Sequence, residues 1–196
     1  MCKKIWFKSL FIFFSGFTPL ANATIPGFYI SGQVGSGNTH IQASAVPALS
    51  MDAKVVLTGR VAGGYQFNQN LALEVGYTRF SDIKFAGWGA ADQNAKLSEN
   101  ALDFMAKPLL SLSNNFDIYA KIGLAYVKAK GIGSVNGKPY LGYSDNWKPA
   151  FGLGFSYDLS PNVLIDLAAA RFQSLGKSNE IPSADFYSVG IAYYFG

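Results

Sequence analysis

Few side chains in this 196-residue chain are equipped for covalent or metal chemistry. It holds one histidine, His40, and one cysteine, Cys2. A serine–histidine–acid triad needs an imidazole held rigidly beside a hydroxyl. His40 stands next to Thr39 in a polar stretch that reads as a loop, and a loop imidazole is far more often solvated than catalytic. No group of residues has zinc-ligand spacing. Gly131-Ile-Gly-Ser-Val-Asn-Gly137 is rich in glycine but lacks the Gly-Lys-Ser/Thr ending and following helix of a phosphate cradle, so it reads as a flexible outer loop. No catalytic residue, cofactor site or metal site is assigned.

The ionic residues say more. Arg60, Glu74, Lys107, Lys121 and Asp166 share the polar parity of period-two segments. Gathered on one side of a sheet, two acids and three bases can pair. A buried charge without a partner is very costly.

Strands must hold these charges, and the last strand is the clearest. In Asp185-Phe-Tyr-Ser-Val-Gly-Ile-Ala-Tyr-Tyr-Phe195, the residues Tyr187, Val189, Ile191, Tyr193 and Phe195 share one face, while the other face is mostly small. Val55, Leu57, Val61, Tyr65 and Phe67 likewise oppose Lys54, Thr58, Arg60 and Gln66. Leu71, Leu73, Val75 and Tyr77 oppose Ala72, Glu74, Gly76 and Thr78; Phe151, Leu153, Phe155 and Tyr157 oppose Gly152, Gly154 and Ser156. Tight turn signals at 68–70, 113–115 and 160–162 alternate with longer polar stretches near 38–52, 82–98, 130–146 and 174–184. They delimit eight strands near 26–37, 53–67, 71–81, 99–112, 116–129, 147–159, 163–173 and 184–195.

The start of the chain indicates where this sheet resides. Residues 1–23 read as a secretory signal peptide: Lys3, Lys4 and Lys8 are the positive region, Ile5 to Phe14 the apolar core, and Ala21-Asn22-Ala23 a small-x-small cleavage site. The apolar run is shorter than the ~20 residues a membrane helix needs. Cleavage after Ala23 removes Cys2, which leaves neither disulfides nor thiol chemistry. It also removes three of the 16 basic residues against 12 acidic ones, so residues 24–196 are nearly neutral. No basic run with interleaved aromatics is present, and nucleic acid is not an expected partner.

Export, glycine and aromatic richness and alternating strands without a membrane helix fit an outer-membrane barrel of a Gram-negative bacterium. The expected fold is all-β: an eight-stranded antiparallel up-and-down transmembrane β-barrel over 24–196, with short periplasmic turns and four longer extracellular loops. A soluble lipocalin-type barrel would put the greasy face inside. The small polar-parity residues suit a cramped lumen better than a solvent face. Tyr65, Phe67, Phe116, Tyr157 and Phe195 at the expected periplasmic ends suit an interfacial girdle. With lipid outside, the five charges meet in a lumen only wide enough to be filled by side chains. A structural plug is the plain reading, a gated small pore the sharper one. Arg79 and Arg171 follow the lipid-facing parity at the outer ends of their strands, where they could snorkel to lipopolysaccharide phosphates. A local bulge turning them into the lumen is the competing reading.

The chain also repeats itself: Leu73-Glu-Val-Gly-Tyr-Thr-Arg-Phe80 parallels Ile165-Asp-Leu-Ala-Ala-Ala-Arg-Phe172, four strands away. Gly63-Gly-Tyr-Gln-Phe-Asn-Gln-Asn-Leu-Ala-Leu-Glu-Val-Gly-Tyr77 resembles the second and third strands of the OmpA transmembrane domain. Ala106-Lys-Pro-Leu-Leu-Ser-Leu-Ser-Asn-Asn-Phe-Asp-Ile-Tyr-Ala-Lys-Ile-Gly123 resembles its fourth and fifth. The resemblance implies a lumenal salt-bridge network, rearranged here because Asp166 stands where a base is expected and Ser156 where an acid is expected. It also implies passage past periplasmic chaperones to the outer-membrane assembly machinery. That machinery would read Val189, Ile191, Tyr193 and Phe195 as its C-terminal signal, with Gly196 as an unusual addition. The periplasmic peptidoglycan-binding domain of full-length OmpA has no counterpart in this sequence.

The functional expectation is a non-enzymatic, monomeric, structural barrel in contact with outer-membrane lipid and lipopolysaccharide. Its loops offer a surface for adhesion or for a host surface receptor. A small-conductance, porin-like diffusion channel and a lipid A-modifying hydrolase are the alternatives. Cleavage after Ala23 puts the N-terminus of the outer-membrane form at Thr24, which intact-mass measurement checks. Recovery of the whole chain with Met1 would contradict it.

Overall fold

A computed structural model describes residues 26–39, 56–86, 94–135, 138–173 and 183–195. They form eight strands: β1 (Gly27–Thr39), β2 (Val56–Asn68), β3 (Leu71–Ala86), β4 (Asn94–Ser113), β5 (Phe116–Val135), β6 (Lys138–Ser160), β7 (Val163–Phe172) and β8 (Ala184–Phe195). Each pairs antiparallel with the next, and β8 returns to β1 with Phe28 opposite Phe195 and Thr39 opposite Ala184. Closure gives every strand two hydrogen-bonded neighbours, the condition for a sheet to cross lipid. The expected eight-stranded all-β barrel is what the chain forms.

The alternation read from the sequence separates the two faces. Leu57, Val61, Leu73, Val75, Leu153, Phe155, Val189 and Ile191 are exposed on the outside, where lipid would cover them. Ala62, Ala72, Thr78, Ala125 and Ala192 on the opposite parity are buried. Aromatic contacts cluster at the periplasmic end, as Phe28–Tyr65, Tyr65–Phe67, Phe116–Phe155 and Tyr193–Phe195.

The three tight turns share one device. The last residue of each turn is an asparagine whose backbone carbonyl accepts an N–H from the next strand over and whose side-chain amide donates to the same residue's carbonyl. Asn70 is joined in this way to Leu109, Asn115 to Asp158 and Asn162 to Tyr194, with N–H···O distances of 2.8, 2.9 and 2.8 Å. Only the donor is a side-chain group, and an amide supplies one where an aspartate or serine of similar reach would offer an acceptor-only or a single hydroxyl group.

The outer ends depart from expectation. Loops were expected over 82–98 and 130–146. Instead β3 continues to Ala86, β4 begins at Asn94, β5 runs to Val135 and β6 begins at Lys138. Residues 131–135 of the glycine-rich stretch are therefore strand, paired as Gly131 with Gly142 and Gly133 with Tyr140. Outside the lipid both faces of a sheet can be polar, so the hydrophobic alternation that marks a strand fades there.

The closing register leads to a prediction. Phe195 lies edge-on to Tyr193 at 5.0 Å and opposite Phe28. Phe195→Ala should slow insertion and lower the heat-modifiable fraction in membranes, while deletion of Gly196, which lies outside the described residues, should be nearly silent. Normal assembly of the first variant with failure of the second would place the terminal strand in another register.

Candidate functional site in the lumen

Five expected lumenal charges, Arg60, Glu74, Lys107, Lys121 and Asp166, all point inward and are buried. They come from β2, β3, β4, β5 and β7. Glu74 is the hub. Its Oε1 lies 2.7 Å from both Arg60 Nη2 and Lys121 Nζ, and its Oε2 accepts the Tyr29 hydroxyl at 2.9 Å. Arg60 also reaches Asp103 on β4, with Nη2–Oδ1 at 2.7 Å and Nε–Oδ2 at 3.3 Å, the two-pronged arrangement that a guanidinium favours. Its Nη1 donates to Gln33 Oε1 at 3.3 Å.

Two of the five charges are held by other means than ion pairs. Asp166 has no base within ion-pair distance among the described residues. Instead, its Oδ2 accepts Gln33 Nε2 at 2.6 Å and the Tyr119 hydroxyl at 2.7 Å. Lys107 is not in an ion pair there either: its ammonium lies 4.3 Å from the centre of the Tyr119 ring, a cation–π arrangement. The distances explain both. Glu74 already serves two bases, and Arg60 turns its fork toward Asp103. The cluster thus contains three acids and three bases rather than two and three.

Asp103 was legible, since it shares the inward parity of β4 with Ala101, Met105 and Lys107. Tyr29 and Tyr119 were harder, because tyrosine also populates the outer girdle. The clue is glycine across the ladder. Gly64 is the partner of Tyr29, Gly154 the partner of Tyr119 and Gly190 the partner of both Gln33 and Asp166. A Cβ at Gly64 would come within 2.3 Å of the Tyr29 ring, and one at Gly190 within 2.4 Å of Asp166 Oδ1. Glycine is there so that large polar side chains can lie flat across the lumen.

Apolar layers seal the cluster on both sides. Toward the outside Phe80 and Phe172 meet edge-on at 6.1 Å, with Met105, Val127 and Ala150 beside them. Toward the periplasm Tyr29 stacks on Tyr194 at 4.8 Å, near Leu109 and Leu164. The internal repeat thereby gains a physical meaning. Its acids, Glu74 and Asp166, point into the cluster from different walls, and its phenylalanines, Phe80 and Phe172, touch above it. The space left beside Gln33, Arg60, Tyr119 and Lys121 is about 10 Å³, roughly enough for one water.

Arg79 and Arg171 both project outward from the barrel and are exposed. The irregularity in β3 lies between Phe80 and Ile83, just beyond Arg79, and does not turn it inward. Arg171 is 3.5 Å from Asp185. Val189, Ile191, Tyr193 and Phe195 line the outer face of β8. His40, Ala21 and Ala23 lie outside the described residues.

Comparison with known proteins agrees with this geometry. Residues 24–196 match the family model of the OmpA-like transmembrane domain. Outer membrane protein A of Escherichia fergusonii is 24% identical over 139 residues, which cover 68% of this chain and 39% of that protein. The chain therefore spans about two fifths of that relative's length. In fold it is similar to neisserial surface protein A, with a TM-score of 0.61 at 19% identity, covering 89% of this chain and 99% of that one. It is also similar to Ail of Yersinia pestis, solved in complex with the heparin analogue sucrose octasulfate. The TM-score there is 0.59 at 15% identity, covering 87% of this chain and 99% of that one.

The geometry makes Lys121 a sensitive position. Lys121→Met leaves Glu74 with the Tyr29 hydroxyl and one ion-pair partner, Arg60, which is shared with Asp103. Breaking one member of a buried pair costs about 3–5 kcal/mol, less where water enters. Urea unfolding in lipid vesicles should show the loss. Stability unchanged within error would mean that Lys121 faces water.

Proposed function

Because the chain belongs to the OmpA-like transmembrane-domain family and is an integral barrel of the Gram-negative outer membrane, we propose that it is a non-enzymatic, surface-exposed structural barrel with a closed lumen. Export under the signal of residues 1–23 and delivery by periplasmic chaperones to the assembly machinery belong to the same proposal. One observation carries it: the lumen is filled through three successive layers. These are the Phe80–Phe172 contact, the Arg60–Glu74–Lys121 cluster and the Tyr29–Tyr194 stack.

That filling argues against the diffusion channel. An ion crossing the barrel would have to displace aromatic rings and part ion pairs that are buried on every side. Arg60, Glu74, Asp103 and Lys121 are spent on one another, and Asp166 and Lys107 are held by Gln33 and tyrosines. Activity of the barrel is therefore proposed to lie on its outer surface, where β3 to β6 run on beyond the ends of β7 and β8. The loops there are proposed as an adhesion or interaction surface. Ail, with its bound heparin analogue, suggests a polyanionic glycan as a ligand class to test on them.

The barrel should show no discrete conductance steps when reconstituted in a planar bilayer. A variant that opens all three layers, Phe80→Ala and Phe172→Ala with Glu74→Ala, Tyr29→Ala and Tyr194→Ala, should begin to conduct where it still folds. Discrete steps from the unmodified protein would favour the channel.

A further inference from the structure

The lipid-facing side of the barrel carries charges that the filled lumen does not use. In the register of the sheet, Gly59 on β2 is the partner of Arg79 on β3, Arg79 of Asn100 on β4, and Asn100 of Lys128 on β5. Arg79 and Lys128 are thus two strand spacings apart, about 10 Å. Lys130 follows two residues beyond Lys128 on the same face, and all three cations are exposed. Their neighbours are otherwise engaged. Lys96 is 2.7 Å from Asp82, and Asp145, the partner of Lys128 in register, accepts the Tyr126 hydroxyl. Among the described residues none of the three cations has a carboxylate within ion-pair distance; the two lysines lie 5.3 and 5.4 Å from the ring centres of Tyr126 and Tyr143. Arg171, held by Asp185, is unlike them.

On the other side of Arg79 the outer surface is hollow. An apolar furrow of about 630 Å³ crosses β1 and β2, walled by Val34, Val61, Tyr77 and Ile191, with Arg79 at its rim. A side chain added at Gly32 or Gly59 in this furrow would meet nothing within 4 Å. A row of exposed cations outnumbering the nearby carboxylates Asp82 and Asp145, and held in no ion pair among the described residues, borders an apolar hollow on a lipid-facing wall and is complementary to an anionic amphiphile. Guanidinium grips phosphate through two parallel hydrogen bonds, and the lysines add charge attraction.

We propose that this face binds a phosphate-bearing glycolipid of the outer leaflet. One acyl chain lies in the furrow over Gly32 and Gly59, and the headgroup phosphates lie between Arg79 and Lys128–Lys130. The assignment requires the barrel to sit in the outer membrane but does not require a closed lumen, so it stands or falls apart from the conductance measurement.

The test compares urea unfolding of the reconstituted protein in phosphatidylcholine vesicles with and without bisphosphorylated lipid A. Lipid A should raise the unfolding midpoint of the unmodified protein and of Arg171→Gln. The rise should be largely lost in the triple variant Arg79→Gln, Lys128→Gln, Lys130→Gln, and reduced in Arg79→Gln alone, which serves if the triple variant does not fold. Gly59→Leu, which fills open space and should fold normally, should also lose much of the rise. An undiminished rise in the Arg79 and triple variants, or an equal rise with dephosphorylated lipid A, would overturn the proposal. An undiminished rise in Gly59→Leu would overturn the seating of the chain in the furrow. If pyrophosphate alone in phosphatidylcholine vesicles reproduced the rise, the site would be one for soluble anions. If a sulfated oligosaccharide did so, it would be a glycan surface. Either result would contradict the lipid assignment.

Discussion

The lumen of an eight-stranded barrel is so narrow that a charge placed inside it must be met by a counter-charge, a hydrogen-bonding group or an aromatic ring from another strand. The rest of this structure depends on that constraint. Glu74 lies where Arg60 and Lys121 can both reach it, and Arg60 carries the connection on to Asp103 and Gln33. Gln33 then joins Asp166, which also holds Tyr119. The chain of contacts touches β1, β2, β3, β4, β5 and β7, so the cluster braces the barrel from within as the backbone ladders close it from without. Low local polarity strengthens each contact and makes each omission costly.

Other features serve the same packing. The glycines opposite Tyr29 and Tyr119 are absences of side chain that let a phenol cross the lumen. The phenols in turn cover Lys107, which has no carboxylate within ion-pair distance among the described residues. The outer aromatic layer and the inner tyrosine stack exclude water from the charges between them. At the periplasmic turns, three asparagines bind one strand to its second neighbour and fix the stagger that sets which side chains share a layer.

Much of this was legible in the sequence because lipid imposes a strict rule. Tyr187, Val189, Ile191, Tyr193 and Phe195 could not all face one way except in a strand against an apolar medium. The same parity assigns Arg60, Glu74, Lys107, Lys121 and Asp166 to the lumen. Where the medium changes, the rule lapses. Residues 82–86 and 130–135 form strand, but Asp82, Lys84, Lys130, Gly131 and Gly133 leave only short apolar alternation there, and so they read as loop. Pairing inside the lumen was only partly legible. Parity shows that Asp103 and Lys107 share a face. It does not show that Arg60 takes the first while an aromatic ring takes the second, because that depends on stagger between strands far apart in sequence.

The central claim is that Glu74 and Lys121 form a water-excluded pair on which the stability of the barrel depends. A double-mutant cycle with Glu74→Gln, Lys121→Met and the two combined, followed by urea unfolding in lipid vesicles, tests it most directly. Contacting buried residues show coupling of about 0.5–3 kcal/mol, whereas independent sites add to within roughly 0.5 kcal/mol. The geometry predicts coupling in the upper part of that range, with the double variant more stable than the sum of the single losses implies. Simple additivity would mean that the two charges are separated by water, and the closed, ionically braced lumen would be wrong.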